Sequence, residues 1–221
     1  MAQLSPELAR ALEFLQQMGV TGDPQDPTVR TRTRLLQAAT KLFQSRGYQH
    51  TSVDEIAREA GLAKGTVYVH FKNKQELLFH AIAEEKKRLV QTMLPILTAD
   101  VSPAERLERY LEQGFLALQQ APLISKLMLG DRQILMQLSG LGDELREQVH
   151  ELQIKSVTSL VRGIGAFDKL PAREKNHRVR VLLGVLVSAT QLVEESVRGG
   201  LSQEVYARHL AKIIVAGVGA K

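Results

Sequence analysis

The chain has 221 residues, of which 44% are hydrophobic and 24% charged, with a net charge of +5 and no cysteine. This is the composition of a soluble globular protein with a substantial core. The lack of cysteine excludes disulfides, thiol catalysis and cysteine-ligated zinc. The N-terminus does not have the pattern of a signal peptide, and the densest apolar stretch, at 181–189, is too short to cross a bilayer. We therefore expect a cytoplasmic protein without a membrane partner.

The positive charge is concentrated in one segment. Residues 28–90 hold 12 Lys and Arg against 6 Asp and Glu, whereas the rest of the chain holds 17 against 18. A localised basic segment indicates a polyanionic partner for that segment. A solvated charged face would give the same count, so charge alone does not decide between the two.

The N-terminal segment predicts a short helix over 5–18, followed by a linker. Ser5 can cap this helix and Pro6 suits its first turn. The sequence "GVTGDPQDP" then breaks any helix. Because the helix is close to neutral, we expect it to pack on the body of the protein or on a dimer partner.

The next segment predicts three helices in the order of a helix-turn-helix unit. The first runs from about Pro27 to Arg46, with Asp26 as its N-cap. The second starts at Ser52, which forms a capping-box pattern with Glu55. The third lies in "LAKGTVYVHFKNK" at 62–74. Two such short helices cannot bury themselves, so the first helix must support them.

Every later segment has helical periodicity. Asn73 caps a helix that is predicted to stop at Leu94, before Pro95. Further helices are predicted from about 103 to 118, 123 to 138, 143 to 163, Pro171 to Gly199–Gly200, and after Ser202. The predicted fold class is all-α: an N-terminal extension (1–26), a helix-turn-helix domain (27–73) and a larger helical domain (74–221).

The third short helix carries the most specific pattern. Val67 and Phe71 share an apolar face, whereas Val69 lies on the polar face, where it could meet a thymine methyl in a major groove. No acidic residue lies between Ala60 and Asn73. Small side chains at Gly65 and Thr66 would let the backbone approach base edges. Phosphate contacts are expected from Ser52, Lys64, Tyr68, His70, Lys72, Lys74 and the Asn73 helix start, and from Arg30, Arg32 and Arg34.

The stretch "AATKLFQSRGYQHTSVDEIAREAGLAKGTVYVHFKNKQELL" resembles the DNA-binding domain of the tetracycline-repressor (TetR/AcrR-like) family. The resemblance implies a homodimeric regulator of transcription, usually a repressor that a small ligand releases from DNA. By match to the family motif, Tyr68, His70 and Lys74 would contact phosphates, and Lys64, Gly65, Thr66 and Val69 would face bases. The family often has Ser at position 64 and an aromatic residue at position 69, so the operator sequence stays open.

The two longest apolar helices lie near the C-terminus. The helix from Pro171 has a polar, basic start and a middle that is apolar nearly all round, and the last helix is similar from Leu210 to Val218. Helices that are apolar all round are typically buried. The resemblance implies that they pair with the same two helices of a second copy of the chain in a four-helix dimer interface. The alternative is that both helices belong to an ordinary intrachain core. We favour a homodimer, because one recognition helix reads too few base pairs to bind tightly.

A chamber for a small, mostly apolar effector is expected between the later helices. Each candidate residue could equally belong to the core. The candidates are Met93, Tyr110, Phe115, Met128, Gln133, Met136, His150 and Gln153.

No catalytic or cofactor motif stands out. The six histidines form no i, i+4 pair, and no H-E-x-x-H, Walker or dinucleotide pattern is present, so we expect no metal, no cofactor and no enzyme activity. Two alternatives remain: an α-helical enzyme with a basic module, and a helical adaptor whose basic module binds an acidic protein.

Overall fold

The computed structural model describes residues 4–18, 20, 22–139, 143–192 and 195–219, and these are helical with no strand among them. The prediction of an all-α fold is therefore confirmed. None of the helices in the described ranges is long and apolar enough to cross a membrane.

The described chain divides into two compact units. The head unit comprises Leu12–Arg88 and Ala121–Gly142, and the body unit comprises Met1–Ala11, Leu89–Gln120 and Asp143–Lys221. Helices α1 (Pro6–Met18) and α5 (Lys74–Leu97) each start in one unit and end in the other. The head unit also holds α2 (Pro27–Arg46), α3 (Val53–Glu59), α4 (Lys64–His70), α7 (Pro122–Met128) and α8 (Arg132–Ser139).

The predicted caps of the head helices are confirmed. The Asp26 carboxylate accepts the Thr28 N–H at 2.7 Å, which starts α2. Ser52 and Glu55 form the predicted capping box at the start of α3. The Asn73 side chain accepts the Glu76 N–H at 2.8 Å and starts α5. Each cap satisfies backbone donors that the helix itself leaves without a partner.

One hydrophobic core holds the head unit together. Phe43, Ile56 and Phe71 are each at most 1% exposed, which fixes α3 and α4 on the supporting helix α2. Leu123 and Ile134, from α7 and α8, belong to the same core. Truncating a buried phenylalanine of this kind costs about 3–5 kcal/mol. The α7–α8 pair is therefore part of the folded head, although residues 89–120 of the body unit precede it in sequence.

Polar contacts also attach α7 and α8 to the head. The Glu85 carboxylate, on α5, is only 1% exposed and accepts the N–H groups of Leu123 and Ile124 at 2.9 and 3.0 Å. Burial raises the pKa of Glu85, and these backbone hydrogen bonds oppose the shift. Lys126 donates to the carbonyl oxygens of Phe43 and Gln44 at the end of α2.

Two charged residues of α5 form hydrogen bonds with the linker after α1. Glu84 and Lys87 lie 3.3 Å apart on α5. Glu84 accepts the Val20 N–H at 3.2 Å, and Lys87 donates to the Val20 carbonyl at 2.7 Å. Both polar groups of this one peptide residue are therefore satisfied by side chains of the head unit.

The body unit is built around α6 and α13. Helix α6 (Pro103–Ala117) packs along α13 (Gln203–Gly219), where Ala207 and Ala211 are fully buried. Such small side chains let two helices approach closely. The remaining elements of the unit are a 3-10 turn (Leu118–Gln120), α9 (Asp143–Val161), α10 (Gly165–Asp168), α11 (Ala172–Leu192) and α12 (Glu195–Arg198).

The first turn of α1 packs on α9 within the body unit. The hydroxyl groups of Ser5 and Ser159 are 2.5 Å apart, and Glu7 forms an ion pair with Arg162 at 3.2 Å. These contacts agree with the expectation that the N-terminal helix packs on the protein. The Ser5 hydroxyl also accepts the Leu8 N–H, as predicted for its N-cap.

Two predicted helix boundaries are wrong. Helix α5 continues through Pro95 to Leu97, because a proline in the last turn removes only one backbone hydrogen bond. The helix predicted over 123–138 is two helices, α7 and α8. Gly130 between them adopts a positive φ of 77°, and Asp131 starts α8 by accepting the Ile134 N–H at 3.1 Å. This Gly-Asp pair was the signal for the break.

The predicted helix from Pro171 to Gly199–Gly200 corresponds to α11 and α12. Residues 193 and 194, between these two helices, lie outside the described residues. Gly199 and Gly200 both have positive φ, which explains why α12 ends there.

Candidate nucleic-acid interface

Helix α4 presents one face to the core and the opposite face to solvent. Val67 and Phe71 are each 1% exposed, whereas Val69 is 81% exposed and Tyr68 51%. The prediction that Val67 and Phe71 share an apolar face while Val69 lies on the polar face is therefore confirmed. An exposed valine beside an exposed tyrosine on a basic helix gives α4 an apolar contact point and a hydroxyl donor on the same face.

Gly65 lies in the first turn of α4, and its surroundings are open. A Cβ atom built at this position would meet nothing within 4 Å. Its backbone is helical, so an L-residue would fit without strain. The protein itself therefore gives no steric reason for a glycine at this place.

Lys64 begins α4 and pairs with Asp54 of α3. Their ammonium and carboxylate are 2.8 Å apart, and both side chains are exposed. The hydrogen bond to Asp54 raises the pKa of Lys64. Because an exposed pair of this kind is weak, Lys64 can exchange this partner for a base edge or a phosphate. Asp54 is thus a neighbour of the interface that the sequence analysis did not select.

Ser52 is fully engaged within its capping box. Its N–H and its hydroxyl both donate to Glu55 at 2.8 Å, and its hydroxyl oxygen accepts the Glu55 N–H at 3.2 Å. The hydrogen bonds from Ser52 lower the pKa of Glu55. A phosphate at Ser52 would have to displace this carboxylate.

Two arginines of α2 hold the ends of the short helices, a role that the sequence analysis missed. Arg32 donates to the His70 carbonyl at 3.2 Å, and its guanidinium lies 4.4 Å from the Phe71 ring centre. Arg34 donates to the Ala60 carbonyl, at the end of α3. Both groups therefore complete the last turns of α3 and α4. Arg30, in contrast, is exposed.

Lys74 has a structural role in addition to its predicted phosphate contact. Its ammonium donates to the carbonyl oxygens of Tyr48 and Thr51, both at 2.8 Å, and lies 4.2 Å from the Tyr48 ring centre. Burial lowers the pKa of Lys74. An ammonium has three N–H donors, so a third is left for a phosphate. Lys74 thus fixes the segment between α2 and α3 at the interface.

The remaining predicted contacts lie at the end of α4. His70 is half-buried, and burial together with the Arg32 charge lowers the pKa of its imidazole. The ring is therefore neutral at pH 7 and offers one N–H to a phosphate. Lys72 is exposed, and Thr66 is half-buried. The structure thus places all nine predicted contact residues on α4 or at the helix starts beside it.

A family model described as "Bacterial regulatory proteins, tetR family" matches residues 35–81, which include all of α3 and α4. Residues 35–81 therefore resemble a TetR-family domain. The HTH-type transcriptional regulator LmrA of Bacillus subtilis (strain 168) is 36% identical over 84 residues, which are 38% of this chain and 45% of that protein. The HTH-type transcriptional repressor KstR2 of Mycolicibacterium smegmatis is 33% identical over 96 residues, 43% of this chain and 46% of that protein. The alignments thus span about half the length of these relatives.

The likeness in fold extends beyond the TetR-family domain. The structure described as the fatty acid degradation regulator FadR from Bacillus halodurans superimposes with a TM-score of 0.65. It covers 88% of this chain and 96% of that chain at 18% identity. The likeness at this level of identity concerns the fold, which this chain shares with that structure.

The predicted effector residues outside the TetR-family domain fall into three groups. Met93 and Phe115 are core residues, at 2% and 1% exposure. Tyr110 keeps an intermediate exposure, although burial raises the pKa of its hydroxyl. Three candidates belong to the head unit: Met128 and Gln133 are half-buried there, and Met136 is 69% exposed. The last two, His150 and Gln153, belong to the body unit and are exposed. The effector chamber therefore stays a prediction.

Proposed function

We propose that the chain is a homodimeric, sequence-specific DNA-binding repressor that a small, mostly apolar effector releases from a palindromic operator. The exposed face of α4 is the observation that supports it most. This face lacks any acidic residue, carries Tyr68 and Val69 in solvent, and is fixed from behind by Val67, Phe71 and Arg32. Such a rigid, outward-facing helix is what major-groove recognition needs.

The residues on and beside the exposed face of α4 have different roles in DNA binding. Tyr68, His70 and Lys74 contact phosphates and set the position of the helix on the duplex. Lys64 and Thr66 face base edges, and Val69 meets a thymine methyl. Each base pair read in this way contributes about 1–3 kcal/mol of discrimination.

The exposed apolar residues of the body unit support a dimer. Val181 on α11 is 68% exposed, and Val205 and Ile213 on α13 are 36% and 69% exposed. These helices are therefore not fully covered within one chain, unlike an ordinary intrachain core. A second copy placed on them would bury these side chains. It would also present two copies of α4 to half-sites about 34 Å apart.

The names of two relatives support a role in transcription. LmrA is described as a transcriptional regulator and KstR2 as a transcriptional repressor. Their similarity to this chain extends over 84 and 96 residues, respectively. Repression therefore fits this chain as it fits KstR2.

Selection of duplexes from a random pool by the purified protein tests the proposal. We expect enrichment of a sequence with two-fold symmetry, and an affinity that falls steeply with salt because phosphate contacts release counterions. No enrichment over random DNA across a low-salt titration would refute the proposal. If the basic module instead binds an acidic protein, an excess of non-specific duplex DNA should not displace that protein.

Three substitutions separate phosphate contacts from base contacts. Tyr68→Phe should weaken binding to all sequences alike, whereas Lys64→Ala should also relax the base preference at one position. Val69→Ser should reduce the preference for thymine over uracil at the base that Val69 contacts. Unchanged thymine preference in that variant would place Val69 outside the groove.

A further inference from the structure

Helix α11 has one side in the core and one side that nothing in the described chain covers. Val179 and Leu182, on the first side, are 2% and 4% exposed. The opposite side consists of exposed residues at helical spacing, and Val181, which is 68% exposed, lies beside it. This exposed side of α11 is formed by Arg173, His177, Arg180, Gly184 and Ser188. It is therefore available to another molecule.

Gly184 lies in the middle of the exposed side, and the chain itself gives no reason for a glycine there. Its φ is not positive, and a Cβ at this position would meet nothing within 4 Å. In the interior of a helix, glycine is less favourable than alanine. A glycine becomes useful where a second backbone comes too close for a side chain. Gly184 therefore indicates the point on the exposed side at which another helix approaches most closely.

The charge changes sign along the segment that contains α11 and α12. Residues 169–180 hold five Lys and Arg and one Glu, whereas residues 181–197 hold two Glu and no Lys or Arg. Arg198, which follows, donates to the Leu201 carbonyl at 2.5 Å. Arg173 and Glu195 are both exposed and lie at equal distances along the sequence from Gly184. A second copy in the antiparallel direction would therefore place opposite charges next to each other at both ends, whereas a parallel copy would place like charges together.

We propose that two copies of α11 cross in antiparallel directions at Gly184, with Arg173 of each copy opposite Glu195 of the other, and that these charges determine which chains can pair. This pairing rests on the proposed homodimer and adds its register and its selectivity. A second copy fits the exposed side better than a polyanion does, because the basic start would attract a polyanion but the acidic end would repel it. A two-fold axis through Gly184 satisfies both ends at once, because each patch then meets its complement.

Single-cysteine variants test the register, because the chain has no cysteine of its own. In Gly184→Cys, the two-fold axis should bring the two Cα atoms within about 7 Å, so mild oxidation of the purified full-length protein should link the dimer by a disulfide. In Ser188→Cys, the two copies should lie about 12 Å apart, since position 188 is about one turn from the crossing point on each chain, and no link should form. A parallel pair in register would link both variants. Equal linking of both variants on a non-reducing gel, or no linking at position 184, would overturn the proposal.

A charge swap tests the pairing between Arg173 and Glu195. Arg173→Glu and Glu195→Arg should each weaken the homodimer, because each change puts like charges opposite each other. When the two variants are coexpressed, heterodimers should exceed the statistical ratio about two- to thirtyfold at low ionic strength, because only the mixed dimer restores both pairs. Native mass spectrometry of differently tagged chains measures the ratio. The matched control is coexpression of Lys155→Glu with Glu151→Lys, an exposed ion pair on α9, which should give the statistical ratio. A statistical ratio for the Arg173 and Glu195 variants would overturn the proposal.

Failure of this pairing can be told apart from failure of the proposed function. Sedimentation of the wild type reports whether a dimer forms at all, and a monomer would remove both the proposed dimer and its register. A wild-type dimer whose Gly184→Cys variant does not link would leave the homodimer in place and refute only the register. Selection of duplexes depends on α4 of the head unit, so a lack of DNA binding by the wild type would refute the proposed regulator without changing the result of the cross-linking.

Discussion

Substitution of Gly65 by alanine should stabilise the protein and weaken its binding to DNA. A glycine in a helix is less favourable than alanine, and a Cβ at position 65 meets nothing within 4 Å. The free protein should therefore gain about 0.4–1 kcal/mol of unfolding free energy. In the complex, the same methyl group would occupy space where the α4 backbone approaches the duplex.

The loss on DNA should exceed the gain in stability. A methyl group forced into a close-packed contact costs about 1–3 kcal/mol, which is roughly 5–150-fold in affinity for one half-site. A dimer carries the substitution twice, so the free-energy loss for a two-fold operator doubles. Urea unfolding measures the first effect, and fluorescence anisotropy with the selected operator measures the second.

Gly114→Ala provides the matched control. Gly114 lies within α6 in the body unit, and a Cβ there also meets nothing within 4 Å. It should raise stability by a similar amount without changing operator affinity. If Gly65→Ala bound DNA as tightly as Gly114→Ala, the backbone at position 65 would not approach the duplex, and the assignment of Gly65 to the interface would be wrong.

Asp54→Asn should strengthen DNA binding, because Lys64 loses its competing partner; an unchanged affinity would contradict this. Arg32→Leu should weaken binding to all duplexes and destabilise the head, whereas Arg32→Lys should recover part of both, as measured by anisotropy and urea unfolding. Glu85 has a raised pKa in the folded state, so its contribution to stability is present at low pH and lost as pH rises through that value. The stability of the wild type relative to Glu85→Gln should thus fall as pH rises above about 4.3, the ordinary pKa of a glutamate, and a constant difference would refute the argument. Deletion of residues 1–26 should lower stability more than the salt slope of DNA binding; the reverse result would make the extension a DNA arm.

Local sequence signals were enough to predict most of the head helices. The caps Asp26, Ser52 and Asn73 were identified because a capping side chain and the backbone N–H that donates to it lie within three residues of each other. The exposed position of Val69 followed from the helical period alone. Each of these features depends on neighbours in sequence, where spacing determines geometry.

The contacts missed by the sequence analysis join residues that are distant in the chain. Arg34 and Ala60 are 26 residues apart, and Glu85 binds the start of α7 from 38 residues away. The sequence does not distinguish an arginine that binds phosphate from one that caps a helix, because it does not show which carbonyl lies nearby. A buried glutamate on α5 likewise looks like any surface acid until its partner helix is placed.

The head unit is folded from two stretches of chain, since Leu123 and Ile134 complete the core that α2, α3 and α4 begin. Anyone who grafts this domain onto another sensor must therefore transplant two segments and make four junctions with the receiving chain. A single crossover after α4 would leave donor side chains against a foreign α7 and α8, with mismatched volumes at Leu123 and a changed partner for the α2 carbonyl oxygens that Lys126 binds. Recombination between related regulators should accordingly yield functional hybrids only when 121–142 travels with the helix-turn-helix.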